Sequence, residues 1–508
     1  MSIDAALLIA RSGLLHTQRA LSNAADNVAN AETEGYTRKR IIGEAVTANG
    51  LGMGVRSLGP LRDVDNALVN EIQKRRSESA AADLRDAVLS RINEAHGNPG
   101  KSDGLGDLVS KLRAGFVELR LEPSQVVVQQ SIVLNAGEEV VRRFHDLARV
   151  VGEERQASHD GIVSEISQVN ETLREIARLT RIVKERTGNE TPKADVEDQR
   201  DLALARLSDS IGFKAVRQSN GGLLILAGNG MTIPLSETGD VFSIPSATIS
   251  PGSFYGPGGS IPGIIMNDTD VTGLVAGGRL GEFLKLRDQT LPRYQAELDV
   301  AAAELADRFK SEGLRLFTDA FGDVPDPNLA YTDPAGKQIG FASIIQVSAT
   351  VKSDVRLLRD GTETIAGPPS FTPNPPGGPA GFTTLLDRIL DHSFGDTRSG
   401  GASWGGFATS GLGPDGSLSS PFGSPRTIEE YSMLVTASQT ADSATASAAL
   451  ESAKQFSQGL EARFTRESRV DVDSEMASLI TLQNTYAANA RVLSTAQSMW
   501  DSLFGSVR

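Results

Sequence analysis

The two ends of the chain carry matching hydrophobic repeats. A spacing that alternates between three and four residues puts one narrow stripe along an α-helix and is typical of coiled coils. The first stripe consists of Ile3, Leu7, Ala10, Leu14, Thr17, Leu21, Ala24 and Val28. The second consists of Met476, Leu479, Gln483, Tyr486, Ala490, Leu493, Gln497, Trp500 and Phe504. Many of these residues are small or polar, so neither helix should be stable alone, and we expect them to pair with each other or with neighbouring copies.

The stretches next to the two ends are predicted to be helical as well. Turn signals such as His96-Gly97-Asn98-Pro99-Gly100 and Glu122-Pro123 end two of these helices. An unusually long helix is predicted to follow, from about residue 124 to residue 186. The predicted helices cover residues 64–92, 105–119, 124–186, 195–211, 278–316 and 427 to the end.

Two other parts of the chain suggest β-structure. Short apolar runs at residues 213–216, 223–227 and 231–235, separated by Gly- and Asn-containing turns, predict a hairpin or meander. Residues 318–425 are rich in Gly, Pro and Ser, with candidate strands at 341–350 and 355–358. We therefore predict an α+β, nested, multi-domain fold.

This nested fold would have three parts. A terminal coiled coil would comprise residues 1–62 with 470–508. A helical-bundle middle domain would comprise 63–205 with 276–318 and 426–469. A β-rich outer domain with long loops would comprise 206–275 with 319–425, inserted into the helical frame.

Composition excludes several classes of chemistry. The 508 residues include no cysteine, which excludes disulfides, thiolate zinc sites, iron–sulfur clusters and thiol nucleophiles. The net charge of −14 argues against a nucleic-acid partner, because nucleic-acid binding needs a basic patch. The start of the chain lacks a basic region, and Arg11 soon interrupts its apolar run. We therefore expect neither a cleaved signal peptide nor a membrane partner.

Candidate catalytic and metal motifs are weak. Gly401-Ala402-Ser403-Trp404-Gly405 matches a nucleophile elbow, but it lies in a Gly/Ser-rich loop, and His392 precedes the serine. The histidines are scattered, and the acidic loop that begins at Asp319 lacks the spacing of a calcium loop. The glycine-rich run at residues 50–54 is predicted to be a turn. No catalytic, metal or cofactor site is predicted.

The first helix runs into a distinctive segment. Residues 22–38 read SNAADNVANAETEGYTR. This segment resembles the N-terminal signature of bacterial flagellar axial proteins, in which a Leu-rich helix leads into Ser-Asn-Asn-Ile-Ala-Asn and Thr-Pro-Gly-Tyr/Phe. Here Asp26 replaces a common Asn, and Glu34 stands where the family has Pro or a small residue. Residues 475–496 resemble the closing helix of the same family.

Three internal motifs resemble the hook-associated branch of that family. They are Gly35-Tyr36-Thr37-Arg38, Asp198-Gln199-Arg200-Asp201 and residues 281–288, which read GEFLKLRD. The resemblance implies a structural subunit without enzymatic activity or cofactors, located outside the cell at the hook–filament junction. It also implies export in an unfolded state by the flagellar type III apparatus and folding on assembly. No part of 318–425 matches.

The resemblance also implies the partners: other copies in a ring, the hook protein, the next hook-associated protein, and an export chaperone at the C-terminal helix. The predicted assembly interface consists of Ile3, Leu7, Leu14, Leu21, Asn27, Val28, Asn30, Gly35, Tyr36, Met476, Leu479, Gln483, Tyr486, Asn489, Leu493, Trp500 and Phe504.

Two alternatives stay open. The chain could be a hook or distal-rod structural protein, although these tend to be shorter and to lack the Asp-Gln-Arg-Asp helix. The insert could instead be an enzyme, such as a cell-wall hydrolase. That activity would need a cleft with a carboxylate of raised pKa.

Overall fold

The computed structural model describes residues 3–48, 51–97, 103–124, 126–187, 192–228 and 230–506. The α-helices are α1 Ile3–Ala29, α2 Asn66–Ala95, α3 Leu105–Leu121, α4 Val126–Arg186, α5 Ala194–Ser210, α6 Gly278–Lys285, α7 Leu291–Ser311, α8 Ala349–Ser353, α9 Leu357–Asp360, α10 Thr384–Arg388, α11 Ile428–Ser468 and α12 Val472–Ser506. The strands are β1 Lys39–Arg40, β2 Gly43–Ala48, β3 Leu51–Ser57, β4 Leu61–Arg62, β5 Phe213–Arg217, β6 Leu223–Ala227, β7 Thr232–Ile233, β8 Ile265–Met266, β9 Thr269–Asp270, β10 Phe317–Thr318, β11 Gln346–Val347, β12 Ser410–Leu412 and β13 Leu418–Ser419. The α+β class is confirmed: the chain is mostly helical with small sheets.

The two terminal helices pack against each other, as the heptads predict. In α1, Ala10, Thr17 and Ala24 are almost completely buried. The other heptad positions whose side chains are described are half-buried: Leu7, Leu14, Leu21 and Val28. The side chains of Ile3 and Phe504 lie outside the described residues.

A hairpin that the sequence did not predict covers part of α1. Strands β2 and β3 are antiparallel, and β3 contains residues 51–54 of the run predicted to be a turn, so that prediction was wrong. The ladder shifts its register beside Gly54, which has a φ of +112°. A Cβ at Gly54 would lie 2.1 Å from the Ser12 hydroxyl oxygen. The glycine therefore lets the strand lie directly on α1.

Helix α4 joins two hydrophobic cores. Its 61 residues span about 90 Å at 1.5 Å per residue. Its N-terminal half packs with α3, α7 and residues 314–435, and its C-terminal half packs with α5 and the β5–β6–β7 sheet. The predicted long helix and the predicted meander at 213–235 are both confirmed.

Residues 319–425 contain much less strand than the sequence suggested. The candidate strand at 341–350 instead holds a 3₁₀ turn, the two-residue strand β11 and the start of α8, and 355–358 leads into α9. Side-chain anchors take the place of strand ladders. The buried Asp299 carboxylate of α7 accepts hydrogen bonds from the backbone N–H groups of Gly340 and Ala342 and from the Tyr331 hydroxyl, at 2.8–2.9 Å.

The predicted C-terminal helix is broken. Helix α11 packs on α2 and ends at Ser468, and α12 begins at Val472. Asp471 Oδ1 accepts hydrogen bonds from the backbone N–H groups of Asp473 and Ser474, an N-terminal cap that starts a new helix. The break allows α12 to pair with α1 while α11 stays with α2.

Candidate functional site: the joint beneath the terminal helices

Asn27 is the centre of a polar joint at the end of α1. Its side chain is 0% exposed. Its Oδ1 accepts hydrogen bonds from the Tyr36 hydroxyl (3.0 Å) and the Lys39 backbone N–H (3.2 Å). Its Nδ2 donates to the Lys39 carbonyl (2.9 Å) and to Glu475 Oε2 (3.2 Å). All four hydrogen-bonding positions of the amide are used, so the site accepts little besides Asn.

Glu475 attaches α12 to this joint. It lies in the first turn of α12, is 3% exposed, and accepts a 2.6 Å hydrogen bond from Arg38 Nε as well as the one from Asn27. The backbone N–H of Arg38 donates to the carbonyl of Ser468, the last residue of α11. The loop after α1 is therefore held by both C-terminal helices.

Thr37 and Lys39 connect the same loop to α5. The Thr37 hydroxyl donates to Asp198 Oδ1 at 2.6 Å, and the Thr37 N–H donates to Asp198 Oδ2 at 3.3 Å. Lys39 Nζ lies 3.1 Å from Asp198 Oδ2 and 2.6 Å from Asp195 Oδ1. The same ammonium sits 3.4 Å from the centre of the Tyr36 ring, a cation–π contact.

The Asp-Gln-Arg-Asp motif of α5 contacts two different parts of the chain. Asp198 Oδ1 also pairs with Arg62 Nε (2.8 Å), and Asp201 pairs with Arg62 and Arg217 at 2.6 and 2.7 Å. Arg200 donates to the carbonyl of Gly221 in the β5–β6 turn. One turn of α5 thus holds the terminal loop on one side and the small sheet on the other.

The ion pairs keep these buried groups charged. Burial lowers the pKa of Lys39, but Asp195 and Asp198 more than offset this, so its pKa lies above the ordinary value. Burial raises the pKa of Asp201, but Arg62 and Arg217 outweigh it, so its pKa lies below the ordinary value. The joint therefore depends on charge complementarity as well as on shape.

We expect the joint to weaken in acid. The folded-state pKa of Asp201 lies below its unfolded value, about 3.9. Its contribution to stability is therefore fully present above about pH 5 and is lost as pH falls through the folded-state pKa. In urea titrations from pH 7 to pH 2, wild type and Asp201→Asn should differ by a constant amount above about pH 5 and converge in acid. Parallel curves would contradict this expectation.

The wild type must be compared with Asp201→Asn because other carboxyl groups change the pH dependence of stability in the opposite direction. Burial raises the pKa of Asp299 and of Asp307 to about 6. The contribution of such a group to the stability of the protein falls as pH rises toward 6. Both proteins contain them, so their contribution cancels in the difference.

Asn30 and Gly35 shape the loop at the joint. Asn30 Nδ2 donates to the Asp26 carbonyl at 3.0 Å, and Asn30 Oδ1 accepts a hydrogen bond from the Thr33 hydroxyl. Gly35 has a φ of +76°, where a side chain would be strained and would meet Leu202. The structure thus brings Asn27, Asn30, Gly35 and Tyr36 together, as their common motif suggested.

The predicted α12 residues differ in how far they are buried. Leu479, Leu493 and Trp500 are half-buried, and Asn489 lies against Gly13 of α1. Met476, Gln483 and Tyr486 are more exposed. The most buried stripe contains Glu475, Leu482, Asn489 and Ala496, one position before the predicted Met476, Gln483, Ala490 and Gln497.

Sequence analysis missed Lys39, Arg62, Glu475 and Asn23, whose Nδ2 donates to the Lys39 carbonyl at 2.7 Å. The available signal was an alternation of charge: basic residues follow Tyr36, and acidic residues cluster at 195–201. Charge patterns of this kind usually mark solvated surfaces, which is why they were not assigned to the joint.

The catalytic candidates lie apart from the joint. His392 Nδ1 lies 3.0 Å from the Thr397 carbonyl, and the Trp404 indole donates to the His392 carbonyl. Asp299 has the raised pKa that a general acid needs, but it is fully buried and holds a loop. Across the described ranges, no group of three or more His, Asp or Glu side chains is placed to hold a metal ion. No helix in the same ranges is long and apolar enough to cross a membrane.

Three segments of the chain match known protein families. Residues 89–313 match the flagellar hook-associated protein FlgK helical domain. Residues 7–37 match the flagella basal body rod protein family, and 462–505 match the flagellar basal body rod FlgEFG protein C-terminal family. Both ends of the chain are thus similar to flagellar rod proteins, and the segment between them is similar to the helical domain of flagellar hook-associated proteins. All three matched segments meet at the joint, through the Thr37–Asp198 and Asn27–Glu475 hydrogen bonds.

Curated flagellar hook-associated proteins from three organisms are similar to this chain. The chain is 23% identical over 380 residues to flagellar hook-associated protein 1 of Salmonella typhimurium, covering 70% of this chain and 66% of that protein. It is 23% identical over 390 residues to that of Escherichia coli K12, covering 72% and 69%. It is 25% identical over 285 residues to flagellar hook-associated protein 1 of Bacillus subtilis, covering 54% of this chain and 55% of that protein. The match to the Salmonella relative thus spans just under two-thirds of its length.

Among solved structures, the chain is similar to the flagellar hook junction protein FlgK from Burkholderia pseudomallei. The TM-score is 0.40 at 20% sequence identity, and the alignment covers 50% of this chain and 45% of that chain.

Proposed function

We propose that this chain is a structural subunit of the bacterial flagellum that forms the junction between hook and filament. The observation that carries the proposal is the joint. There the two terminal segments, which match rod-protein families, meet the segment that matches the hook-associated helical domain. A subunit of this kind forms interfaces and needs no catalytic site. Its ends would pack in the axial core, and its helical middle would form the wall.

The exposed apolar residues of the terminal helices support assembly. Leu8 and Leu15 on α1, and Met476, Ile480 and Met499 on α12, remain exposed when the two helices are paired. Single exposed apolar residues are common on protein surfaces, but so many on one pair of helices favour a buried environment after assembly. We propose that the paired helices pack with neighbouring copies through these residues and through Gln483 and Tyr486.

The remaining expectations from the sequence belong to this proposal. They are a ring of identical subunits, contacts with the hook protein and the next hook-associated protein, an export chaperone, and the division 1–62 with 470–508, 63–205 with 276–318 and 426–469, and 206–275 with 319–425. A chain without cysteine suits export in an unfolded state, because no thiol can cross-link on the way out.

Limited proteolysis of the purified monomer should trim roughly the first 50 and last 40 residues and spare the middle. The terminal helices bury small residues against each other and lie outside both hydrophobic cores. They should therefore open at a lower free-energy cost than the cores do. Mass spectrometry of the fragments would locate the cuts. Termini as resistant as α4 would contradict folding on assembly.

A gene deletion tests the function itself. We expect cells with hooks but no filaments, flagellin in the medium, and recovery when the wild-type gene is restored. Normal filaments without this chain would contradict the proposal. The matches of both ends to rod families favour one other candidate, a hook or distal-rod subunit. In that case the deletion would leave cells without complete hooks, which electron microscopy distinguishes.

A further inference from the structure

A cavity lies beside the joint, between α2, α5 and the end of α11. Its volume is about 280 Å³. Apolar side chains form much of its wall: Val69, Ile72, Leu202, Ala205 and Phe464. The same loop residues, Glu34 and Gly35, line both this cavity and a larger groove on the other side of the loop. The space is large enough for one large apolar side chain with the peptide group that carries it.

Gln73 gives this cavity an unusual polar feature. The residue is 3% exposed and lines the cavity. Neither its amide nitrogen nor its amide oxygen has a hydrogen-bond partner among the described residues. A buried amide without partners costs stability, and such groups call for an explanation in a native protein. A ligand that pairs with it must offer a donor and an acceptor side by side.

A strand edge of another protein chain has these properties. Residues in the middle of a helix use their N–H and C=O groups within the helix, whereas an edge strand leaves a row of both groups free next to its side chains. Among the described residues, the β2–β3 sheet has two strands, so each has an edge that pairs with no further strand. Leu51 in β3 is 68% exposed, more than any other large apolar residue on the strands that the structure describes.

We propose that the Gln73 cavity of one copy receives Leu51, with the neighbouring backbone, from the β2–β3 hairpin of a second copy. This inference rests on the proposed function, because it assumes that copies assemble side by side. Two interactions would hold the copies together: an apolar side chain buried in the cavity and a peptide group paired with the Gln73 amide.

The position of the hairpin means that this contact must form between two copies. The hairpin contacts α1 at Ile9 and Ser12, whereas the cavity lies beyond Ala29. The 17 residues from Ser12 to Ala29 correspond to about 26 Å of helix. A hairpin packed on its own α1 therefore cannot reach its own cavity. Leu51 and the cavity are different surfaces of the same chain. Repeating the contact from copy to copy therefore gives a ring or a helical array.

Cross-linking of the full-length chain tests the contact directly. Because the chain has no cysteine, Leu51→Cys and Glu461→Cys introduce the only two thiols, one on the hairpin and one at the cavity. With a short bis-maleimide, assembled junctions of the double variant should give a ladder of linked copies, and the purified monomer should give none. Peptide mapping must identify residues 51 and 461 of two copies. Assembled junctions without this link, or with a link to a different protein, would overturn the proposal.

Substitutions test the energy of the same contact. Leu51→Asp should lower incorporation at the hook tip by at least about tenfold, because a charged group replaces a buried leucine, whereas Leu51→Met should assemble normally. Ala205→Leu fills the cavity from within and should also block incorporation without lowering the melting temperature. If Ala205→Leu fails to fold, the Leu51 pair and the cross-link give the answer.

These outcomes are distinguishable from failure of the proposed function. Full assembly of both Leu51→Asp and Ala205→Leu would overturn the cavity contact. In the same cells, restoration of filaments by the wild-type chain would still support the junction role. If the wild-type chain restores nothing, the proposed function fails, and the cavity contact fails with it.

Discussion

The Asp198→Ala variant should lose about 3–5 kcal/mol of unfolding free energy, the usual cost of removing one partner from a buried ion pair. Asp198 accepts hydrogen bonds from both the backbone and the side chain of Thr37, and its carboxylate pairs with Lys39 and Arg62. All of these groups are buried. Without the carboxylate, Lys39 keeps Asp195 and the Tyr36 ring, and Arg62 keeps Asp201 and the Thr37 hydroxyl.

Hydrogen exchange should show where this loss occurs. The amides of residues 36–39 should exchange faster in Asp198→Ala. Those in the N-terminal half of α4 should change little, because that half belongs to the core formed with α3 and α7, which contains no residue of α5. Gln199→Ala is the matched control, since Gln199 is the next residue of α5 and is exposed. If urea unfolding of Asp198→Ala differs from this control by less than about 1 kcal/mol, the joint does not hold the terminal loop.

The Leu14→Asp and Leu493→Asp variants should each fail to incorporate at the hook tip and leave cells without filaments. Both leucines are half-buried on the paired terminal helices. A carboxylate at either position must lose its hydration or push the two helices apart. The contact between α1 and α12, called the seam below, consists largely of small residues and provides little energy to oppose separation. Purified protein should nevertheless keep its helical circular dichroism, because α4 and the two cores lie outside the seam.

The control is Gln18→Asp, which introduces the same charge at an exposed position of α1. It should support normal filaments in complemented deletion cells. Normal incorporation of Leu14→Asp, measured by microscopy and by blotting of isolated hook–filament preparations, would show that the seam is not needed for assembly. Loss with Gln18→Asp as well would indicate that added charge, rather than the seam, is responsible.

Periodicity predicted the helices well because it reflects a local property. The stripes of α1 and α4 are regular and largely apolar, so burial follows the predicted positions. The stripe of α12 mixes small and polar residues, and its buried face is set by what α1 presents. Asn489 packs on Gly13 and Glu475 bonds to Asn27, which turns Met476 and Gln483 outward.

The insert was harder to predict because its order comes from long-range anchors. Its loops are held by groups such as the Asp299 carboxylate, and its apolar residues join the core formed by α3, α4 and α7. A loop that is stabilised in this way has no internal periodicity to detect. The β2–β3 hairpin was missed for a related reason. Its glycines are typical of a turn, and only the structure shows that they are needed because the strand lies directly on α1.

The sequence by itself determined the helical frame, the heptad stripes of the terminal helices and the family motifs, because each depends on residues close together along the chain. Only the tertiary structure decided which charges meet. Thr37 and Asp198 are 161 residues apart, and Arg38 and Glu475 are 437 apart, yet both pairs are in direct contact. A buried polar group must find a partner wherever the fold provides one. Two motifs that looked independent in the sequence are therefore two halves of one joint.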